Sequence, residues 1–175
     1  MQHPNKQTDG NSVKMNETFH SDSISSKNSL SNLTEFFDDY FEKMAKTIYE
    51  SANDLFYVHD LDGNILTINR ATQEAFGYSR EEFLKLRIAD VIASEDLELA
   101  NEMTQKKISG EAEKTSYELN CVGKDKQKIV LEINSSIIYQ DGKPMAVQGI
   151  ARNITERKTM QNALQENKEY LQMLF

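Results

Sequence analysis

The 175-residue chain has a single cysteine, Cys121, no tryptophan and only two prolines. One thiol cannot close an internal disulfide or build a thiolate metal cluster, so disulfide scaffolds and zinc ribbons are excluded and Cys121 reads as a small buried apolar side chain. No apolar run approaches the ~20 residues that a bilayer span needs, and the N-terminus lacks the basic, apolar, small-residue order of a secretory signal. The sequence therefore predicts a soluble, cytoplasmic protein without membrane insertion, in which the Asn-x-Ser/Thr triplets at Asn16, Asn32, Asn134 and Asn153 are chance matches. Basic charge is also scarce. Lys and Arg number 20 against 28 Asp and Glu, and the net −8 leaves −9 on residues 32–151. Such a surface repels a phosphate backbone, which excludes direct nucleic-acid binding. There is no Ser/His/Asp set, no phosphate-cradling glycine loop and no phosphotransfer histidine box, so this chain is not expected to be an enzyme.

What is present fits one domain with appendages. Residues 1–31 hold six serines from Ser21 to Ser31 and only isolated apolar residues, a composition expected to form a disordered leader. Segment 32–53 changes character. Leu33, Phe37, Tyr40, Phe41, Met44 and Ile48 recur at helical spacing, predicting an amphipathic helix from about 33 to 52, with Asn32 and Glu35 as a capping pair. Leu55 to His59 and Ile65 to Ile68 flank Asp60-Leu61-Asp62-Gly63-Asn64 and predict a hairpin. That turn has oxygens at alternate positions, but its Gly falls fourth and its twelfth position is Ala71, so it does not match an EF-hand and no metal site is assigned.

After Asn69 come short helices over Ala71 to Phe76 and from Ser79, then a longer amphipathic helix that runs to about Ser109 and stops at Gly110. Three strands follow, Thr115 to Val122, Lys128 to Tyr139 and Met145 to Asn153, joined by Gly-, Asp- and Lys-rich turns. This order predicts an α+β fold over residues 54–154: a five-stranded antiparallel sheet with helices on one face, flanked by the N-terminal helix and a coiled-coil-like C-terminal helix over 155–175.

Three segments resemble the PAS family. They are the hairpin Phe56 to Leu66 continuing to Asn69, the stretch Gly77-Tyr78-Ser79-Arg80-Glu81-Glu82-Phe83, and Gly149-Ile150-Ala151-Arg152-Asn153-Ile154-Thr155-Glu156-Arg157-Lys158, which is similar to the PAC-type segment where the last strand hands over to an output helix. The resemblance implies a sensory module of the kind found in bacterial and archaeal sensor kinases, taking a small-molecule or partner signal and passing it on through dimeric C-terminal helices. The ligand-free alternative is a dimerisation or interaction module. Phe56, Val58, Ile68, Asn69, Phe76, Phe83, Val91, Tyr117, Leu119, Ile133, Val147 and Ile150 are candidates for a pocket between sheet and helices, with the filled core as the other reading, and Asn69 and Tyr117 are the polar groups expected to meet a ligand. No cofactor is assigned. The helix before the third strand contains no His for a haem, residues 84–92 lack the Asn-Cys-Arg motif of covalent flavin sensors, and His59 reads as a strand-end residue satisfied by its surroundings.

The coupling joint implied by the resemblance is Arg152, Asn153, Ile154 and Thr155. The family usually has Asp where this chain has Asn153, so an acid-to-Arg ion pair is expected to be weaker here. Beyond Thr155, the expected helix cap, Met160, Leu164, Asn167, Leu171 and Leu174 follow spacings of four and three, a coiled-coil seam in which polar Asn167 fixes register. The seam predicts a homodimer; a helix lying back on its own domain is the other option. The ending Leu171-Gln172-Met173-Leu174-Phe175 has no stop signal, so a downstream partner such as a histidine kinase, a cyclase or another PAS unit is expected.

Overall fold

The computed structural model describes residues 16–175, with side chains from residue 32 onward, and the chain divides between Lys46 and Thr47 into two compact units. The first holds most of α1 (Asn16–Ser51). Within it Phe36 stacks on Tyr40 at 6.5 Å and Phe37 meets Phe41 at 6.3 Å, the neighbours a helix brings together at i and i+4. α1 begins at Asn16, so the serine-rich stretch expected to be disordered is helical, and Asn32 and Glu35 are interior to the helix instead of its cap. The reason is local. Residues 11–62 contain neither Gly nor Pro, and lengthening a helix costs far less than starting one. Residues 1–15 of the expected leader lie outside the described residues.

The second unit is built on β1 (Leu55–Asp60), β2 (Ile65–Ile68), β3 (Lys114–Val122), β4 (Lys128–Gln140) and β5 (Lys143–Asn153). They form one antiparallel sheet in the order β2-β1-β5-β4-β3. Between β2 and β3 lie α2 (Arg70–Phe76), α3 (Arg80–Phe83), two 3₁₀ turns and α4 (Leu97–Ile108), and α5 (Thr155–Leu174) follows β5. The five strands, their antiparallel pairing and the short helices match the expected α+β fold. The local chemistry is legible. The Asp60 carboxylate accepts the Asp62 and Asn64 amides at 3.0 and 2.8 Å and closes the first hairpin. Ser79 and Glu82 form a reciprocal capping box at α3.

The core joins inward strand residues to the short helices: Leu55, Ile68, Phe76, Phe83, Val91, Leu119, Leu131 and Ile133 are all buried. Removing a Phe or Ile side chain of this kind from water contributes roughly 1.5–3 kcal/mol. Among the described residues no helix is long and apolar enough to cross a membrane.

Candidate functional site

Strand pairing sets which side chains share the inner face. Tyr57 stands opposite Gly149, Gly149 opposite Ser135, and Ser135 opposite Thr115, so these four form one row across β1, β5, β4 and β3. Gly149 is required by the row: a Cβ there would fall 2.2 Å from Cζ of Tyr57 and 2.4 Å from its hydroxyl, so the missing side chain lets the phenol lie flat across β5. His59 stacks on Tyr57 with centroids 6.1 Å apart and rings 5° from parallel. From α4, the Lys107 ammonium donates to Met103 C=O, Thr115 Oγ1 and Ser135 Oγ at 3.0, 2.9 and 2.9 Å.

Between this face and the helices lies a cavity of about 70 Å³. Of the residues expected to line a pocket, Phe76, Phe83, Val91, Tyr117, Leu119, Ile133 and Val147 do so. Ile68 is buried in the core beside it. Phe56, Val58 and Ile150 do not: they lie on the opposite face, in a shallow groove with Tyr49. On β5 the parity was available, because Ile150 alternates in step with Gln148 and Arg152, polar residues that belong outside. β1 offers no such guide, since both of its faces read as apolar.

Asn69 is a second correction. It is fully buried, its Oδ1 accepts from Phe56 N, Thr72 N and Thr72 Oγ1, and its Nδ2 donates to the carbonyls of Tyr49 and Asp54. Nothing is left to offer a ligand. Asn69 is a structural knot that caps α2 and ties the end of α1 to β1. Leu55, Tyr57, His59, Cys121 and Leu131 on the strands also line the cavity without having been expected there, and Lys107 of α4, which the sequence did not single out, is buried beside Tyr117 without lining it.

The electrostatics favour neutral forms with one exception. Burial raises the Tyr57 and Tyr117 hydroxyls, pushes the Cys121 thiol up to about 12 and lowers the His59 imidazole. A thiol so held is a poor nucleophile. His59 Nδ1 meets the Asp60 carbonyl at 2.6 Å; a carbonyl can only accept, so Nδ1 carries the proton. Its Nε2 and the Tyr57 hydroxyl have no hydrogen-bond partner among the described residues, yet neither atom is sealed from accessible space. The exception is Lys107. Burial lowers it to about 8, so it remains a cation at neutral pH.

The joint to α5 is built from backbone accounting. The β4–β5 ladder ends at Leu131 opposite Asn153, which would leave the next β4 residue, Val130, with an unpaired N–H and C=O. Thr155 Oγ1 accepts that N–H at 2.9 Å, and Ile154 N donates to that C=O at 2.9 Å. The Thr155 hydroxyl in turn donates to Asn153 Oδ1 at 2.6 Å, and the Thr155 amide reaches the same oxygen at 3.1 Å. Only an acceptor is needed at position 153, so asparagine serves without the expected acid. Arg152 does not use that residue at all, forming a two-pronged pair with Asp54 at 3.1 Å on each arm. Ile154, not Thr155, is the cap residue, and Thr155 is committed to β4. Beyond the joint α5 has no buried residue. Met160, Leu164, Leu171 and Leu174 are exposed, and Leu164, Asn167 and Leu171 share one surface groove.

Comparison with known proteins adds lineage to this geometry. A PAS domain family model matches residues 53–156. The chain is similar to a methyl sulfide methyltransferase-associated sensor of Methanosarcina acetivorans, with 32% identity over 134 residues; this is 76% of the chain but spans only 13% of that protein's length. Among solved structures, a PAS domain from Colwellia psychrerythraea aligns with TM-score 0.61 and 22% identity, covering 66% of this chain and 98% of that one. A domain of a sensory box sensor histidine kinase/response regulator from Geobacter sulfurreducens gives TM-score 0.54 and 26% identity over 65% and 95%. The PAS domain of an HTR-like protein from Haloarcula marismortui gives 0.57 and 22% over 70% and 99%.

Proposed function

The chain belongs to the PAS domain family, and from that premise we propose that it is a non-catalytic, cytoplasmic sensory module in which an event at the inner-face cavity is passed through β4 to α5 and on to a downstream signalling domain. The observation that carries this reading is an adjacency. Leu131 lines the cavity, and its neighbour Val130 holds the start of α5 by two hydrogen bonds, its N–H to the Thr155 hydroxyl and its C=O from the Ile154 amide. A displacement of β4 that the cavity contents favour therefore acts on the helix at the next residue, which is the differential contact that a population shift requires. The module works as a homodimer, because the apolar stripe Met160, Leu164, Leu171 and Leu174 is left uncovered by its own domain and its spacing suits a second helix.

The size of the cavity favours a small signal. About 70 Å³ is well below the ~300 Å³ at which pockets for drug-sized ligands begin, which speaks against haem and flavin. The same smallness supports the second reading, a ligand-free dimerisation module with a packed core. Sedimentation velocity tests the shared premise: the wild-type chain is expected to run as a dimer, and Leu164→Glu with Leu171→Glu as a folded monomer. A monomeric wild type at ~100 µM, a concentration at which even weak paired helices associate, contradicts the dimeric output.

A further inference from the structure

His59 is 6% exposed and lines the cavity. Its proton sits on Nδ1, which donates to the Asp60 carbonyl, so Nε2 presents a bare lone pair. Among the described residues nothing donates to that nitrogen, and it opens onto accessible space. A buried acceptor without a donor is costly, so an occupant of the cavity is favoured if it brings a hydrogen. The Tyr57 hydroxyl is likewise without a partner, on the same face of β1, its ring nearly parallel to the imidazole and 6.1 Å away between centroids. It can donate, so the same occupant is favoured if it also brings an acceptor.

The other polar groups of the lining are committed or exposed. The Thr72 hydroxyl is bonded to Phe56 C=O and Asn69 Oδ1, and the Tyr117 hydroxyl to Ser135. Asn101 and Thr104 stand on the α4 wall, exposed and half-buried, within reach of solvent. Neither sign of charge suits the space. An anion needs several donors and one phenol is too few, while a cation would meet Lys107, whose charge acts on His59 and whose own donors are all spent. The remaining walls, including Val91, Leu119 and Leu131, are apolar. One acceptor and one donor in an apolar space are the complement of a single hydroxyl, which gives one hydrogen and takes one. A primary amide, by contrast, brings two N–H donors to one imidazole lone pair. We propose that the cavity binds a primary alcohol of two or three carbons, its hydroxyl donating to His59 Nε2 and accepting from Tyr57, its alkyl end against Leu119 and Leu131. The volume agrees: a cavity of roughly 150 Å³ takes benzene, so about 70 Å³ suits about three or four heavy atoms. The proposal rests on the sensory reading and supplies its ligand class.

The test is an NMR titration of the full chain at pH 7 with ethanol, with its isomer dimethyl ether, which has the same heavy atoms but no hydrogen to donate, and with acetate. Each probe is taken to ~100 mM, far above the ~1 mM that is the tightest dissociation constant three heavy atoms allow. Ethanol is expected to saturate and to shift the His59 Nε2 nitrogen signal and the Tyr57 ring signals. Dimethyl ether should bind at least ~10-fold more weakly, because it leaves Nε2 unpaired, and acetate should not enter. His59→Leu should abolish the preference for ethanol over the ether. Tyr57→Phe, which removes only the hydroxyl and keeps the ring over Gly149, should weaken ethanol several-fold and reports on the site even if His59→Leu fails to fold. Ethanol binding indifferent to Tyr57→Phe, or acetate binding tighter than ethanol, overturns the proposal. If ethanol and the ether enter with equal affinity, the hydroxyl assignment falls and the sensory reading stands. If no probe enters, the alcohol assignment falls and the ligand-free module gains.

Discussion

Gly149→Ala is expected to destabilise the domain by about 3 kcal/mol or more, the upper range for forced overpacking of a core. The new Cβ would sit 2.2 Å from the Tyr57 ring, far inside contact distance. The obstacle is the body of a ring held between strands and helices, not the far end of a flexible chain. Tyr57 must lift off β5, and the space it can enter is the cavity, so the substitution should also close the polar end of the site. The cause is separable. In a Tyr57→Ala background the same Gly149→Ala change should cost under about 1 kcal/mol, because the two residues couple through direct contact. Urea unfolding of the four proteins measures this, and equal costs in both backgrounds would place the strain elsewhere.

Asn69→Ala is expected to cost on the order of 3 kcal/mol, also by urea unfolding. Five hydrogen bonds converge on this buried amide, and truncation strands their partners, each at ~1–3 kcal/mol when no water can replace the lost bond; loss of the α2 cap alone accounts for ~1 kcal/mol. Asn69→Asp discriminates between the two halves of the amide. It keeps the three acceptor bonds but turns a carboxylate oxygen toward the carbonyls of Tyr49 and Asp54, so it should be no milder than alanine at neutral pH. A near-neutral effect of either substitution would mean that the knot does not hold α1, β1 and α2 together.

These two residues also mark how far the sequence could be read. Gly149 and Asn69 both stand in the segments that carry the PAS resemblance, so their importance was visible while their roles were not. Asn69 reads as a pocket amide until the carbonyls of Tyr49 and Asp54, distant in sequence, are seen to consume its donors. Strand order and turn chemistry were legible because they depend on neighbours in the chain, as in the Ser79–Glu82 capping box. The inward face of β1 was not, because Leu55-Phe56-Tyr57-Val58-His59 is apolar or aromatic on both parities and only its register with β5 decides between them. Lys107 escaped for a related reason. It lies seven residues after Ala100 on the buried side of α4, where helical periodicity leads one to expect an apolar residue or a lysine reaching for solvent. Only the hydroxyls of Thr115 and Ser135, brought together by the β3–β4 register, make its burial possible. The N-terminal boundary went astray through composition: a serine-rich stretch was read as disorder where no breaker stops a helix.

Asn153 shows the opposite case, in which a departure from the usual family residue has little structural consequence. The joint needs an acceptor for Thr155, and the amide oxygen supplies it. The ion pair between Arg152 and Asp54 is largely exposed and contributes little energy in water, yet its two-pronged geometry fixes the end of β5 against the start of β1. The proposed coupling therefore runs through the Val130 connection and does not depend on charge at residue 153.

The central claim, that the inner face controls α5 through β4, is tested most directly by distances between nitroxides placed on Glu166→Cys in the dimer. Labelling is specific because Cys121 is buried and held protonated. The comparison is between this protein and the same protein carrying Ala100→Leu, which fills the cavity from α4 without touching the joint. The account predicts a shift of about 1–2 Å or more in the interspin distance, the scale of helix movements in signalling transitions, with the dimer retained. Identical distance distributions in the two proteins, or no dipolar coupling in either, would contradict it.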